Sequence, residues 1–272
     1  MWCASAFMCR GLGRQKTDVS LFLSCRKSIL IEWEGFILRI LFLGDLHGNM
    51  VATEAMEQAI LDAAPDEIWF LGDAVGKGPQ NAETCDWVRA NCHHFIGGNW
   101  DYGIGTRSFP ADGYFWNQLG EERMAWLRSL PEEDEIILSG IRFRLFHGRP
   151  VSPLLKVQDD ADLLSKALMK DSNGTQERFG GAVFADSHRP FFRTLDCGYI
   201  MNTGSVGNSM GVPNAHALIL EGREGNVRAP LSATILSVPY DNQKAADLAL
   251  KEDDLPHRDA YVREILTGIY SR

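Results

Sequence analysis

From about residue 36 onward, the chain alternates short apolar runs with longer segments whose apolar residues recur at helical spacing. Apolar, β-prone runs at 36–42, 68–71 and 94–96 predict three short buried strands. The segments between them, 52–64 and 82–91, predict helices because their apolar residues fall on one helical face. Strands that alternate with helices in this way favour an α/β fold.

The second half of the sequence adds more strands and closes with helices. Segments 114–130 and 160–169 predict two further helices, and amphipathic segments at 245–250 and 260–266 predict a closing pair. The strands expected in this part of the chain occupy 136–138, 141–146, 182–185, 191–195, 199–202 and 215–220. No repeat, low-complexity tract or long linker divides residues 36–272, so we expect them to form a single domain.

Composition narrows the class of protein without identifying it. With 45% hydrophobic and 23% charged residues among 272, the chain is typical of a globular protein and unlike a disordered or collagen-like one. Its formal net charge of -9 disfavours a stable nucleic-acid complex, because the phosphates of nucleic acids attract basic surfaces. The apolar runs are far shorter than the roughly 20 residues that a membrane helix needs, so no membrane association is expected. The oligomeric state stays open.

Two features bear on location. The six cysteines include no Cys-x-x-Cys pair, which suits a reducing compartment and predicts a cytoplasmic protein. Residues 1–35 differ from the rest of the chain, because basic residues outnumber acidic ones there. A targeting peptide is one interpretation, but the uncharged start and the short apolar run at 19–23 argue against it. We therefore expect residues 1–35 to be an extension that is disordered or non-native.

The predicted strands share a feature at their carboxyl ends, where polar side chains with metal-ligating or proton-transfer chemistry follow. These side chains are Asp45, His47, Asp73, Asn99, Asp101, His147, Asp186 and His188. Functional groups of open α/β sheets gather at this edge. Oxygen and nitrogen donors without a thiolate suit Mn²⁺, Fe or Zn²⁺ better than a soft metal.

The spacing of these residues has a physical rationale. Asp45 and His47 stand two apart in extended chain, so their side chains can point toward one ion. Gly72 permits a sharp turn off the second strand. The two oxygens of Asp73 allow one carboxylate to bridge two cations, and Asn99 contributes a neutral amide oxygen that preserves Lewis acidity.

The order Asp-x-His, Gly-Asp, Gly-Asn-x-Asp, His-Gly and x-His resembles the calcineurin-like metallophosphoesterase superfamily. Segments 72–79 and 202–207 are similar to its small prokaryotic, phosphodiesterase-like branch, some of whose members are assigned as dinucleoside polyphosphate hydrolases. The resemblance covers about 230 residues and implies a four-layer αββα sandwich, in which helices flank two mixed β-sheets.

The resemblance also implies a dinuclear metal centre. One ion would be held by Asp45, His47 and His188, and the other by Asn99, His147 and the residue at 186, with Asp73 as the bridge. In such a centre a hydroxide between the ions attacks phosphorus in line. Mn²⁺ is the expected metal, with Fe, Zn²⁺ and Mg²⁺ as alternatives.

One departure from the family pattern falls on the ligands themselves. The usual Gly-His-x-His reads Ala185-Asp186-Ser187-His188 in this chain. We expect Asp186 to ligate, with a shorter reach than histidine and an added negative charge. That charge would cancel the net charge of the centre, which favours hard Mn²⁺ or Mg²⁺ and weakens the attraction for phosphate.

A second departure is Trp100, where protein-phosphatase relatives carry a catalytic histidine. An indole cannot act as a general acid, so activated diesters and pyrophosphate linkages should be favoured over alkyl monoesters. Asn99 and Asp101 are the candidate catalytic residues, Asp101 because it could supply or orient a proton. Trp100 is a candidate for stacking on a nucleobase. Arg149 and Arg189 could each hold a phosphate oxygen, although surface salt bridges explain them equally well.

The sequence therefore predicts a phosphoester hydrolase that uses two divalent metal ions on a small phosphorylated, nucleotide-like substrate. The linkage expected is a phosphodiester or a nucleotide pyrophosphate. One alternative is a phosphomonoesterase or protein phosphatase. Another is a non-catalytic scaffold on the same fold, since the 185–188 segment is altered.

Overall fold

Two five-stranded β-sheets lie at the centre of the protein in the computed structural model, which describes residues 36–109, 113–172 and 175–272. The expectation for residues 1–35 falls outside these ranges, so the proposed boundary at residue 36 stays a prediction.

The first sheet carries the strands that the sequence predicts at the start of the fold. Its members in chain order are β1 (Ile37–Leu43), β2 (Glu67–Leu71), β3 (His94–Ile96), β11 (Ala215–Arg223) and β12 (Leu231–Val238). They are arranged β12-β11-β1-β2-β3, with β1, β2 and β3 parallel and the last two strands of the chain antiparallel beside them. The carboxyl ends of the three parallel strands therefore meet at one edge.

The second sheet is also mixed. Its strands are β4 (Glu133–Leu138), β5 (Ile141–Phe146), β8 (Gly181–Phe184), β9 (Phe191–Leu195) and β10 (Gly198–Asn202). They are arranged β4-β5-β8-β10-β9, with parallel pairing of β5 to β8 and of β8 to β10. A separate two-stranded hairpin joins β6 (Met169–Ser172) to β7 (Thr175–Arg178).

Helices connect the strands and cover the outer faces of the sheets. They are α1 (Met50–Ala63), α2 (Asn81–Asn91), α3 (Asn99–Gly105), α4 (Gly113–Leu127), α5 (Ala161–Ser165), α6 (Asn242–Leu250) and α7 (Arg258–Thr267). Within the described ranges, none of them combines the length and the apolar character that crossing a membrane requires.

The alternation of side chains along β1 shows how the layers stack. Ile40 and Phe42 point into an apolar layer between the two sheets, whereas Leu41 and Leu43 point to the other face and pack with the helices. A third apolar cluster lies between the second sheet and α5. Because successive strand residues face opposite sides, a sheet covered on both faces needs this unbroken apolar run. The predicted four-layer αββα sandwich is therefore confirmed.

Some elements differ from the sequence prediction. The helix expected over 160–169 ends as a 3₁₀ turn at Lys166–Leu168, and the chain then enters the β6–β7 hairpin. The edge strand β12 was not predicted, because its half-buried positions change phase near Ile235 and break the two-residue alternation. The helix expected over 114–130 is interrupted at Gly120, where φ is 67°.

Candidate dinuclear metal centre

Five loops, each following a strand, bring the predicted ligand residues to one edge of the sandwich. β1 leads to Asp45 and His47, β2 to Asp73, β3 to Asn99, β5 to His147 and β8 to His188. The ligand atoms form two groups within which all atoms lie within 4.8 Å of one another. The first ligand group is Asp45, His47 and His188, and the second ligand group is Asp45, Asp73 and His147. These residues are all buried.

The backbone at these loops is held in a strained conformation. Asp45, His47, Asp73, Asp186 and His188 all have φ between 48° and 62°. The left-handed region is sparsely used by residues other than glycine, and such strain persists where the surrounding structure enforces it. Hydrogen bonds from Asp45 N to Gly72 O (2.8 Å) and from His47 N to Asp73 O (3.1 Å) provide that enforcement by tying the β1 loop to the β2 loop.

Gly72 explains why the β2 loop can approach so closely. Its φ is 94°, and a Cβ atom there would lie 2.6 Å from His147 Nδ1 and 2.7 Å from Gly98 N. No other residue type fits this position without displacing a ligand loop. The sharp turn predicted from the Gly-Asp motif is therefore present, and it packs three ligand loops against each other.

Two carboxylate oxygens lie among three imidazoles. Asp45 Oδ1 is 3.2 Å from His188 Nε2, 3.5 Å from His47 Nε2 and 3.9 Å from His147 Nε2. Asp73 Oδ2 is 3.3 Å from His147 Nε2 and 3.6 Å from His47 Nε2. Each carboxylate thus faces imidazoles from both ligand groups, so either is placed to bridge two cations.

Each imidazole is oriented by a backbone carbonyl behind it. Nδ1 of His47 contacts Val75 O at 3.0 Å, and Nδ1 of His147 contacts Leu71 O at 2.6 Å. Nδ1 of His188 contacts Asn208 O at 2.6 Å. A carbonyl oxygen only accepts, so each Nδ1 donates its hydrogen and each Nε2 faces the centre. This arrangement is the usual outer shell of metal-binding histidines.

The electrostatics of the centre favour cations. Burial, together with the neighbouring Lys77 ammonium, lowers the pKa of His47 to about 3, so its Nε2 lone pair is available. Although burial opposes the effect, the Asp73 carboxylate raises the pKa of His147 well above its ordinary value. The two carboxylates therefore attract positive charge to this position.

Several ligand atoms lack a hydrogen-bond partner among the residues that the structure describes. Asp45 Oδ1, Asn99 Oδ1 and His147 Nε2 are buried without a hydrogen bond. Buried polar atoms are normally paired, and orphaned ones call for a functional explanation. Carboxylate, amide and imidazole donors aimed at one place fit two divalent cations, and the absence of sulfur among them fits Mn²⁺, Fe, Zn²⁺ or Mg²⁺.

Asp186 does not join either ligand group. Its Oδ1 is 3.9 Å from His147 Nε2, but the guanidinium of Arg149 binds its carboxylate at 2.6 Å. Of the two interpretations of Arg149, a phosphate contact or a salt bridge, the structure contains the salt bridge, to Asp186, whereas the expectation that Asp186 ligates a metal stays a prediction. Asp186 keeps its place near the centre while its oxygens serve another partner.

Both oxygens of Asp101 accept hydrogen bonds from the backbone. Its Oδ2 accepts hydrogen bonds from Asp73 N (2.7 Å) and Gly98 N (3.0 Å), and its Oδ1 accepts one from Ala74 N (3.0 Å). The side chain is fully buried. Asp101 thus ties the β3 loop to the β2 loop and positions Asp73, and its catalytic role stays a prediction.

An open cleft of about 740 Å³ reaches the centre, and the remaining candidates line it. These are Asn99, Trp100, Arg149 and Arg189, together with Asp73, Asp186 and His188. The Trp100 ring stands edge-on to His47, with 5.8 Å between ring centroids, and its backbone N donates to Asp73 Oδ1 at 2.9 Å. Arg189 is exposed at the cleft.

Sequence reasoning did not single out a polar chain that begins at the centre-facing nitrogen of His188. Lys77 Nζ lies 3.3 Å from His188 Nε2 and donates to Asn208 Oδ1 at 2.9 Å. Asn208 Nδ2 in turn donates to Glu264 Oε2 at 3.2 Å. Lys77 stands inside the Gly-Asp segment of the resemblance, which was the available signal, whereas nothing local in the sequence marks Asn208 or Glu264.

Comparisons with known proteins agree with this geometry. Residues 38–221 match the calcineurin-like phosphoesterase family. An uncharacterised protein of Methanocaldococcus jannaschii is 26% identical over 239 residues, which cover 78% of this chain and 92% of that protein. The symmetrical bis(5'-nucleosyl)-tetraphosphatase of Erwinia tasmaniensis is 29% identical over 115 residues, which cover 36% of this chain and 42% of that protein.

A solved structure extends the similarity to the fold. The crystal structure of a metallophosphoesterase from Sphaerobacter thermophilus is 25% identical, with a TM-score of 0.64 over 86% of this chain and 100% of that chain. The protein is thus a phosphoester hydrolase with residues suited to divalent metal ions. Because the family match extends over more than half of its length, the chain belongs to the calcineurin-like phosphoesterase family.

Proposed function

We propose that this protein hydrolyses phosphodiester or nucleotide pyrophosphate linkages in small nucleotide-like substrates, using two divalent cations with Mn²⁺ favoured. The observation that carries the proposal is the set of orphaned ligand atoms, Asp45 Oδ1, Asn99 Oδ1 and His147 Nε2, within a centre that an aromatic cleft reaches. Free thiols at Cys85, Cys92 and Cys197 and the negative net charge support a cytoplasmic location and no stable nucleic-acid complex.

The protein residues divide the chemical work around the centre. When bound, two divalent ions polarise a phosphoryl oxygen and activate the attacking water. Asp45 and Asp73 supply the negative charge that holds such ions, while Asn99 adds a neutral oxygen. The three histidines direct Nε2 toward the centre because their Nδ1 atoms donate to carbonyl groups.

The cleft supports a substrate that combines phosphates with an aromatic base. Lys77, Arg149 and Arg189 place positive charge beside the ligand groups, and Trp100 presents an indole on the same cleft. Its volume of about 740 Å³ lies within the range of small-molecule sites. Stacking of a base on an aromatic ring contributes about 1–3 kcal/mol per base, which suits a nucleotide.

The residue at position 100 favours linkages that break without proton donation. Trp100 cannot protonate a leaving oxygen, and both oxygens of Asp101 accept backbone hydrogen bonds. A phosphate leaving group carries its charge far better than an alkoxide does, so pyrophosphate linkages and activated diesters need less assistance. The similarity to a dinucleoside tetraphosphatase supports the same substrate class.

The test is an assay of purified protein with and without Mn²⁺ on bis(p-nitrophenyl) phosphate, p-nitrophenyl phosphate and diadenosine tetraphosphate. We expect Mn²⁺-dependent turnover of the diester and of the dinucleotide in preference to the monoester. Trp100→His should raise monoester turnover by roughly tenfold or more, because an imidazole can act as an acid. Faster hydrolysis of the monoester by the unmodified protein would contradict the proposal, and no turnover with metal bound would indicate a scaffold.

A further inference from the structure

We propose that Arg149 is a clamp that withholds Asp186 from the metal centre, so that the second ligand group binds its cation more weakly than the first. The inference rests on the proposed function, because it concerns the same pair of cation sites. It goes further by assigning a role to two side chains whose pairing replaces the ligand expected at position 186.

The first step is the occupancy of the Asp186 carboxylate. Oδ1 accepts from Arg149 Nη2 at 2.6 Å and from Nε at 3.2 Å, while Oδ2 accepts from Nε at 3.0 Å and from the backbone N at 3.1 Å. An ionised carboxylate offers about four lone-pair positions. Both oxygens accept from Arg149, and a bidentate arginine–carboxylate pair of this kind is stronger than a single neutral hydrogen bond.

The second step is that Asp186 cannot simply move away. Its side chain is 3% exposed, and its backbone N donates to Asp45 Oδ2 at 3.1 Å. At Gly148, a Cβ atom would lie 2.5 Å from Asp186 Cβ, so the β5 loop presses directly against it. Asp186 is therefore confined beside His147, and its partner decides whether its oxygens face the centre or Arg149.

The third step is the resulting asymmetry between the two ligand groups. The first ligand group contains one carboxylate oxygen and two imidazole nitrogens, and its cationic neighbour Lys77 lies 3.3 Å from His188 Nε2 rather than on a carboxylate. The second ligand group has His147 and shares Asp45, so its further donors are Asp73 and the neutral amide of Asn99. A free Asp186 would add a charged oxygen there, since Oδ1 lies 3.9 Å from His147 Nε2.

The experiment is a calorimetric titration of metal-free protein with Mn²⁺ alone. The unmodified protein should show two classes of site that differ in affinity by about tenfold or more. In Arg149→Met, the released Asp186 should tighten the weaker class by roughly 10–100-fold, the range by which partners of metal ligands alter affinity. The double variant Arg149→Met/Asp186→Asn should lose that gain, because the two side chains act through one interaction.

The matched control is Arg189→Met, which removes a positive charge from the same cleft without touching Asp186. Equal tightening in Arg149→Met and Arg189→Met would overturn the clamp, because general electrostatics would then explain both. Loss of the weaker class in Asp186→Asn alone would also overturn it, since Asp186 would already be a ligand. If the unmodified protein bound no Mn²⁺, the proposed function would fail and the clamp with it, whereas two equal sites would overturn the clamp alone. Circular dichroism and melting temperature check that each variant is folded.

Discussion

The first and second ligand groups differ in how their loops commit side chains to the centre. In the first, His47 and His188 are held by backbone carbonyls and face Asp45 Oδ1 at 3.5 and 3.2 Å. In the second, His147 is held in the same way, but Asp186 from the neighbouring loop forms a salt bridge with Arg149. The difference shows that the imidazoles of both groups are oriented in the same way, whereas the carboxylate beside His147 is paired with a cationic side chain.

The largest effect should follow from changing the carboxylate that faces both groups. Asp73→Asn is expected to lower turnover by about 10³-fold or more and to weaken both cation sites, because Asp73 Oδ2 lies 3.6 Å from His47 Nε2 and 3.3 Å from His147 Nε2. Metal content after dialysis, together with initial rates, measures this. Asp62→Asn, an exposed carboxylate on α1, is the control. If one site kept its full affinity in this variant, Asp45 rather than Asp73 would be the carboxylate that bridges the two cations.

A smaller effect should appear in the pH dependence of the free energy of unfolding, through the buried His216. His216 contacts Ser209 Oγ at 2.8 Å and Ser237 Oγ at 3.1 Å, and burial lowers its pKa from 6.5 to about 4. The unfolded chain therefore binds more protons between pH 6.5 and pH 4, so the free energy of unfolding falls as the pH drops through that window.

His216→Gln removes this titration and should flatten the pH dependence by about 2–3 kcal/mol across the window. Denaturant unfolding at pH 7, 5.5 and 4 measures the change. His257→Gln, the same substitution at an exposed histidine, serves as the matched control. A slope unchanged by His216→Gln would show that the buried imidazole is protonated as easily in the folded protein as in the unfolded chain.

The smallest effect should come from the polar chain that joins Lys77 to Asn208 and Glu264. In Glu264→Gln, the new amide group can donate to Asn208, whose side chain would then turn its oxygen toward residue 264. Lys77 would thereby lose Asn208 Oδ1 as its acceptor. We expect KM to rise about tenfold while Mn²⁺ affinity is unchanged, because Lys77 faces the cleft rather than acting as a ligand. Steady-state kinetics and metal titration separate the two. Asp259→Asn, an exposed change on the same helix, should have no effect on KM, and an equal rise there would rule out the specific network.

Much of the fold was predictable because the relevant signals are local. The apolar runs of β1 and β2 and the helical spacing of α1 can be recognised within a window of a dozen residues. The elements that were missed have weak local patterns. β12 is a half-exposed edge strand whose alternation breaks near Ile235, and the β6–β7 hairpin is largely polar. Such strands form because their backbones pair with a partner elsewhere in the chain.

The candidate site divides in the same way between local and distant information. The sequence alone determined which residue types follow each strand, since Asp45, His47, Asp73 and His147 sit in short motifs beside glycine. The identity of each partner was decided only by the tertiary structure. Arg149 takes Asp186, and Asp101 binds backbone N–H groups.

The physical reason is that motifs specify chemistry, whereas hydrogen-bond partners depend on how loops from separate strands meet. Lys77, Asn208 and Glu264 are far apart in the chain and have no common pattern, yet they form one continuous polar path. Burial enforces this pairing, because a charged or polar group that is removed from water costs free energy unless it finds a hydrogen-bond partner of the right geometry. Which partner it finds is a property of the folded backbone, and local sequence patterns do not encode it.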